Sequence, residues 1–169
     1  MIVENGTGLP NANSYVSVEF ADDYFSARGV TEWTAFATTV KEQLLIKATD
    51  FIDNVFQWNG KKQFDTQALR FPRVDIRDYE GAEMSGIPTC LKQAVCDAAL
   101  ISNGGELFQT SDANGDVLSE KIGELSFTYS KTNKETVTSS SLYDSINTKL
   151  RGLFKDGSKQ HIQTGKMKR

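Results

Sequence analysis

Cysteine, proline and histidine are all scarce in this 169-residue chain, which holds two, three and one of them. Cys90 and Cys96 are six positions apart in a segment that reads as helix, so they fall on different faces. Two buried thiols are expected rather than a disulfide. The lone histidine, His161, lies in a polar C-terminal stretch where nothing rigid can orient it, which removes Ser-His-Asp and Cys-His mechanisms together. No stretch approaches the roughly 18 to 20 apolar residues that cross a bilayer, so no membrane partner is expected. The start, "MIVENGTGLP", lacks the basic region and apolar core of a signal peptide, and synthesis and use in a cytoplasm are expected.

Charged residues make up 24% of the chain and hydrophobic ones 38%, the balance of a globular protein long enough to bury a core. Charge is unevenly placed. Residues 149–169 carry seven cations and one anion (+6), whereas the remainder carries 12 cations and 21 anions (−9). After Phe154 the tail "KDGSKQHIQTGKMKR" has almost nothing apolar to fold around. It reads either as a solubilising end or as a segment that an anionic partner orders. One domain over residues 1–154 and a basic tail over 155–169 are therefore expected.

Apolar periodicity supplies most of the folded part. "SVEFADDYFSARG" reads as a helix capped by Ser17 and stopped by Gly29, with Phe20, Ala21, Tyr24 and Phe25 in one stripe. Thr39 and Glu42 form a capping-box pattern ahead of Leu44, Leu45, Ala48, Phe51, Ile52, Val55 and Phe56, the strongest core signal in the chain. Residues 61–86 read as a polar, irregular arm around "QALRFPR". Pro88 opens a helix from about Thr89 to Ser102 with Leu91, Ala94, Val95, Ala98 and Ile101 inside. "VLSEKIGELSFTYS" alternates as strand, and Leu142, Ile146, Leu150 and Leu153 define a last helix. The predicted class is α+β, mainly α: three or four helices plus a small antiparallel β element.

Chemical motifs fail one by one. "NGTGLPNANS" (Asn5–Ser14) has neither the lysine of a P-loop nor the third glycine of a dinucleotide fingerprint, so its glycines and Pro10 read as turn chemistry. "DANGD" (Asp112–Asp116) starts like a calcium loop, but Val117 and Gly123 stand where glycine and glutamate are needed. No catalytic, cofactor-binding or metal-binding residue is assigned, and no enzyme is expected. Trp58 beside Lys61 and Lys62, and Phe71 between Arg70 and Arg73, echo the aromatic-plus-cation pattern of single-strand binders. The acidic balance of the body argues against DNA binding through it. "QALRFPR" is also explained as a packed turn with Phe71 buried.

Five segments nonetheless occur in a familiar order: "GTGLPNANSYVSVEFADDYFSARG", "LLIKATDFID", "QALRFPR", "IPTCLKQAVCDAAL" and "SEKIGELSFTYS". They resemble tailed-bacteriophage proteins that are often labelled "putative DnaT-like single-stranded DNA-binding protein", over residues 1 to about 154 but not the tail. The resemblance implies a small helical bundle with an antiparallel β hairpin and an extended C-terminal segment, and a head–tail adaptor, a neck or head-completion protein. It would form a ring, usually twelve-fold, between portal protein and the next neck or tail protein, with DNA passing through the lumen without sequence-specific binding. It implies a place in the virion neck after synthesis in the host cytoplasm. The candidate partner contacts are then Lys155, Lys159, Lys166, Lys168 and Arg169 of the tail, with Arg70, Phe71 and Arg73. The alternative it carries is a single-stranded DNA-binding protein of DnaT-like type acting in phage replication.

Overall fold

Helix α1, Val18–Ser26, begins where Ser17 accepts a hydrogen bond from the Phe20 amide, at 3.2 Å. A computed structural model describes residues 1–104, 119–122, 125–128 and 139–155, with side-chain surroundings over 1–103 and 144–155. Ala21, Tyr24 and Phe25 bury the inner face of α1, and Gly29 turns the chain at φ 68°. A 3-10 turn, Glu32–Ala35, seats the fully buried Trp33 against Phe25, 4.7 Å between ring centres.

Helix α2, Thr38–Val55, starts one residue ahead of the expected capping box. Ala37 is the cap residue, and its carbonyl accepts from Val40 N and Lys41 N. Thr39 is thereby inside the first turn, where its hydroxyl has no cap role. Leu44, Leu45, Ala48, Phe51 and Ile52 are buried as the periodicity requires. Val55 is not: it is 42% exposed because the helix ends there, and Phe56 continues in extended backbone.

Helix α3, Thr89–Gly104, packs against both α2 and the last helix, α4, Ser139–Lys149. Leu91, Ala94, Val95, Cys96, Ala98 and Ala99 are closed to solvent, and Ile101 is half-buried. A polar knot ties α4 down. Lys149 Nζ donates to Asp97, which also accepts from Ser145 Oγ and Tyr24 Oη, and Lys149 lies 2.9 Å from the Tyr24 hydroxyl. Ile146, Leu150 and Leu153 are buried as expected. Leu142, the "DANGD" turn, His161 and the rest of the tail lie outside the described side chains.

Three antiparallel strand pairs complete the described architecture, which is α+β and mainly α. β1, Lys61–Lys62, pairs with β2, Arg73–Val74; β3, Ile76–Arg77, pairs with β4, Glu83–Met84. β5, Ser119–Ile122, pairs with β6, Leu125–Thr128, so the expected antiparallel hairpin falls in "VLSEKIGELSFTYS".

The polar arm read over residues 61–86 does not project. Residues 61–86 return to the body through buried Gln67, Leu69, Phe71 and Ile76. The N-terminal loop closes on itself: Glu4, 1% exposed, accepts hydrogen bonds from the amides of Gly6, Gly8 and Leu9 at 2.8–2.9 Å. Those amides form an anion cradle of the kind a phosphate uses, already filled by the chain's own carboxylate. Phe64 lies over Gly8, where no Cβ would fit, and Ala68 N donates to Leu9 O at 3.1 Å. "NGTGLPNANS" is a packed turn.

Candidate nucleic-acid interface

Arg70, Phe71 and Arg73 fall on one edge of the body with three different roles. Phe71 is fully buried and touches Trp58 edge-on at 4.9 Å and Tyr15 at 6.1 Å, so it is scaffold rather than contact surface. The Arg73 guanidinium is turned inward. It donates to the carbonyls of Asn59 (2.7 Å), Gly60 (2.8 Å) and Arg70 (3.2 Å), and burial lowers its pKa from the ordinary arginine value. It thereby pins the Asn59-Gly60 turn, where Gly60 has φ 67° and a Cβ would collide with the Val74 carbonyl. Arg70 alone of the three is exposed.

A cleft of about 340 Å³ opens at the C-terminal end of α2, lined by Asp53, Asn54, Phe56, Gln57, Trp58, Arg70 and Arg73. The last turn of α2 holds no basic residue, and Arg70 and Arg73 bring positive charge to its negative dipole end. One wall is aromatic: Phe56 stands 5.5 Å from Trp58 and 4.8 Å from Phe154. Trp58 is 7% exposed, and its indole Nε1 has no hydrogen-bond partner among the described residues.

The described residues that follow α4 reach the same place. Asn59 N donates to Leu153 O (2.9 Å), Asn59 Nδ2 to Gly152 O (2.8 Å), and Lys155 N to Gln57 O (2.8 Å). Trp58 and Phe154 form an isolated antiparallel bridge. The exposed Lys155 therefore emerges at the rim of the cleft, joining two groups of candidate residues that are distant in sequence. Lys159, Lys166, Lys168 and Arg169 lie outside the described residues. Locally the charge is positive: residues 56–74 hold Lys61, Lys62, Arg70 and Arg73 against Asp65 alone (+3), within a body of −9.

The cleft is held by a buried polar relay. Asp53 Oδ1 accepts from Tyr15 Oη at 2.6 Å, Asp53 Oδ2 from Arg70 N at 2.9 Å, and Tyr15 Oη accepts from Phe71 N at 3.0 Å. Burial raises the Asp53 pKa from its ordinary 3.8, against the Tyr15 and Arg70 hydrogen bonds that lower it. Burial and the neighbouring carboxylate also push the Tyr15 hydroxyl well up, so it remains a donor. Because the folded pKa of Asp53 is raised, its contribution to stability is full below 3.8 and is lost as pH rises through the folded value. Tyr15→Phe removes a donor to the carboxylate and an acceptor for Phe71 N. The expected loss is about 1–3 kcal/mol at neutral pH, shrinking in acid where the carboxyl is protonated. Thermal melts of both proteins from about pH 4 to 8 check this; a pH-independent difference would remove Asp53 from the explanation.

The arrangement offers cations and rings but little reactive chemistry. Both cysteines are free, and burial pushes the Cys96 thiol up to about 12. Among the described residues no group of three histidine, cysteine, aspartate or glutamate side chains is placed to hold a metal. Sequence reasoning singled out Trp58 but missed Asp53, Asn54, Phe56 and Gln57. The available signal was the switch from helix to extended backbone at Phe56, next to that tryptophan.

A family model described as "Putative DnaT-like ssDNA binding protein" matches residues 1–169. Neither the curated proteins nor the solved structures contain a match. The family match takes in the basic tail, which the resemblance left outside. It also overturns the virion reading, since its description concerns single-stranded DNA, and nothing found speaks for a neck adaptor, portal binding or a twelve-fold ring. By a match over its whole length, this chain belongs to the DnaT-like family described as single-stranded DNA-binding.

Proposed function

We propose that the protein binds single-stranded DNA along the edge formed by Lys61, Arg70, the Trp58 cleft and Lys155, and that it performs no covalent chemistry on the strand. The observation that carries this reading is the aromatic pair Phe56 and Trp58 lining the cleft beside the exposed Arg70. Single-strand binders use that combination, since bases stack on rings while cations follow the phosphates. The family description points the same way.

The acidic balance of the body does not oppose it. Charges are screened beyond about 10 Å at 0.1 M salt, so the local +3 governs contact more than the distant anions. The test is fluorescence anisotropy of a labelled 20-nucleotide dT strand with the full chain across a salt series. The expected result is binding that weakens steadily with salt, each phosphate contact adding about 0.7 to the logarithmic slope. No binding at micromolar protein in low salt would overturn the reading.

A further inference from the structure

We propose that Phe64 is a stacking position for a base of the bound strand, on a platform that the N-terminal loop holds in place. This rests on the single-stranded DNA reading and adds to it a residue outside the cleft.

Stacking needs a ring that a base can reach. Of the four rings in the basic stretch 56–74, Phe71 is closed to solvent, Trp58 is 7% exposed and Phe56 is half-buried. Phe64, at 39%, is the most open. Three chain steps separate it from the exposed Lys61, a reach of at most about 11 Å. Lys62 lies between them, its ammonium donating to Gln67 O at 3.1 Å, and Asp65 is the one anion of the stretch.

The ring is also held. Phe64 N donates to Gln67 Oε1 at 3.0 Å, and the buried Gln67 donates in turn to Leu69 O at 2.8 Å. The ring itself lies against Gly8, where a Cβ would come within 2.3 Å of Phe64 Cδ2. Gly8 is fixed as well, with φ 76° and its amide donating to the buried Glu4 at 2.9 Å. A ring fixed before the strand arrives loses little freedom on binding. The clasp in "NGTGLPNANS" thereby does more than close a turn: it backs an exposed ring with bare backbone.

Charge separates Phe64 from the other open ring. Tyr79, 69% exposed, sits in the β3–β4 hairpin, where residues 75–84 hold Asp75, Asp78, Glu80 and Glu83 against Arg77 (−3). A strand of phosphates is repelled there and drawn to residues 56–74, which carry +3.

The experiment is fluorescence anisotropy of a dT 20-mer and an abasic 20-mer across a salt series, with the full chain, Phe64→Leu and Tyr79→Ala. The two strands have the same phosphates, and only one has bases. Leucine still fills the seat on Gly8 but offers no π face. Phe64→Leu is expected to bind dT at least about fivefold more weakly, the lower end for one stacked base. Its salt slope should be unchanged, because the phosphate contacts remain. On the abasic strand it should match the parent, and Tyr79→Ala should match the parent on both strands. Equal dT affinity in the parent and Phe64→Leu overturns the proposal and leaves the DNA reading standing. An equal loss on both strands overturns stacking and makes the ring scaffold. A loss in Tyr79→Ala as large as in Phe64→Leu overturns the claim that local charge selects the ring. Absence of dT binding by the parent overturns both readings. Should Phe64→Leu fail to fold, the Phe64 ring-proton resonances of the parent decide. They are expected to move upfield with dT and not with the abasic strand, and the same response to both overturns the assignment.

Discussion

Replacing Phe71 with alanine is expected to lower the unfolding free energy by about 3–5 kcal/mol, the range for an aromatic ring removed from a closed core. Phe71 is fully buried, with Tyr15 and Trp58 both edge-on to its ring. Those neighbours come from the N-terminal loop and from the segment after α2, so the cavity would open where three distant stretches meet. They cannot close together over it, because Tyr15 is held by Asp53 and the Phe71 amide. The damage should reach the interface as well, since Trp58 loses the ring that fixes its angle. Urea unfolding checks the first part as a lower midpoint at unchanged slope, and oligonucleotide binding the second. A loss below about 1 kcal/mol would mean that the surroundings collapse into the space after all.

The burial of Phe71 was legible in "QALRFPR" as a packed turn; the distant residues that pack against it were not. Periodicity is local, so α1, α2 and α3 and most of their buried faces could be read directly, as could the end of α1 at Gly29. The turn at Asn5–Ser14 could be read too, although its local clasp by Glu4 could not. The course of residues 61–86 was hidden: they are polar in composition, and composition alone suggests a loop that reaches outward. What draws them in is a few long-range bonds: Ala68 to Leu9, and Tyr15 to Asp53 and Phe71 across 38 and 56 residues. No window of sequence displays such pairings. The same holds for the candidate site, where Trp58 and "QALRFPR" stood out by residue type. Their sharing one cleft, and Lys155 surfacing beside it, depend on the bridge between Trp58 and Phe154. The adaptor reading rested on what the resemblance implies, and the family match supports its single-stranded DNA alternative instead.

The largest expected effect on function comes from reversing two charges on the cleft edge. Lys61→Glu with Arg70→Glu should weaken dT 20-mer binding at least tenfold at low salt. Two exposed attractions of up to about 1 kcal/mol each are replaced by repulsions of similar size. The slope of log affinity against log salt should flatten by about 1.4, the share of two phosphate contacts on a single strand. Stability is the control. Both residues are exposed, and the hydrogen bond that Arg70 gives the cleft comes from its backbone amide, so it survives the substitution. The melting temperature should therefore change little, as for surface substitutions in general. The same reversal at Lys41 makes a poor comparison, because that ammonium is buried and donates to Asp22 at 2.8 Å. Lys47 lies on α2, away from the cleft lining, and Lys47→Glu is the matched surface control. If the double variant binds as the parent does while Lys47→Glu also has no effect, the strand is held by the tail alone. The edge built around Trp58 would then be only the place where that tail begins.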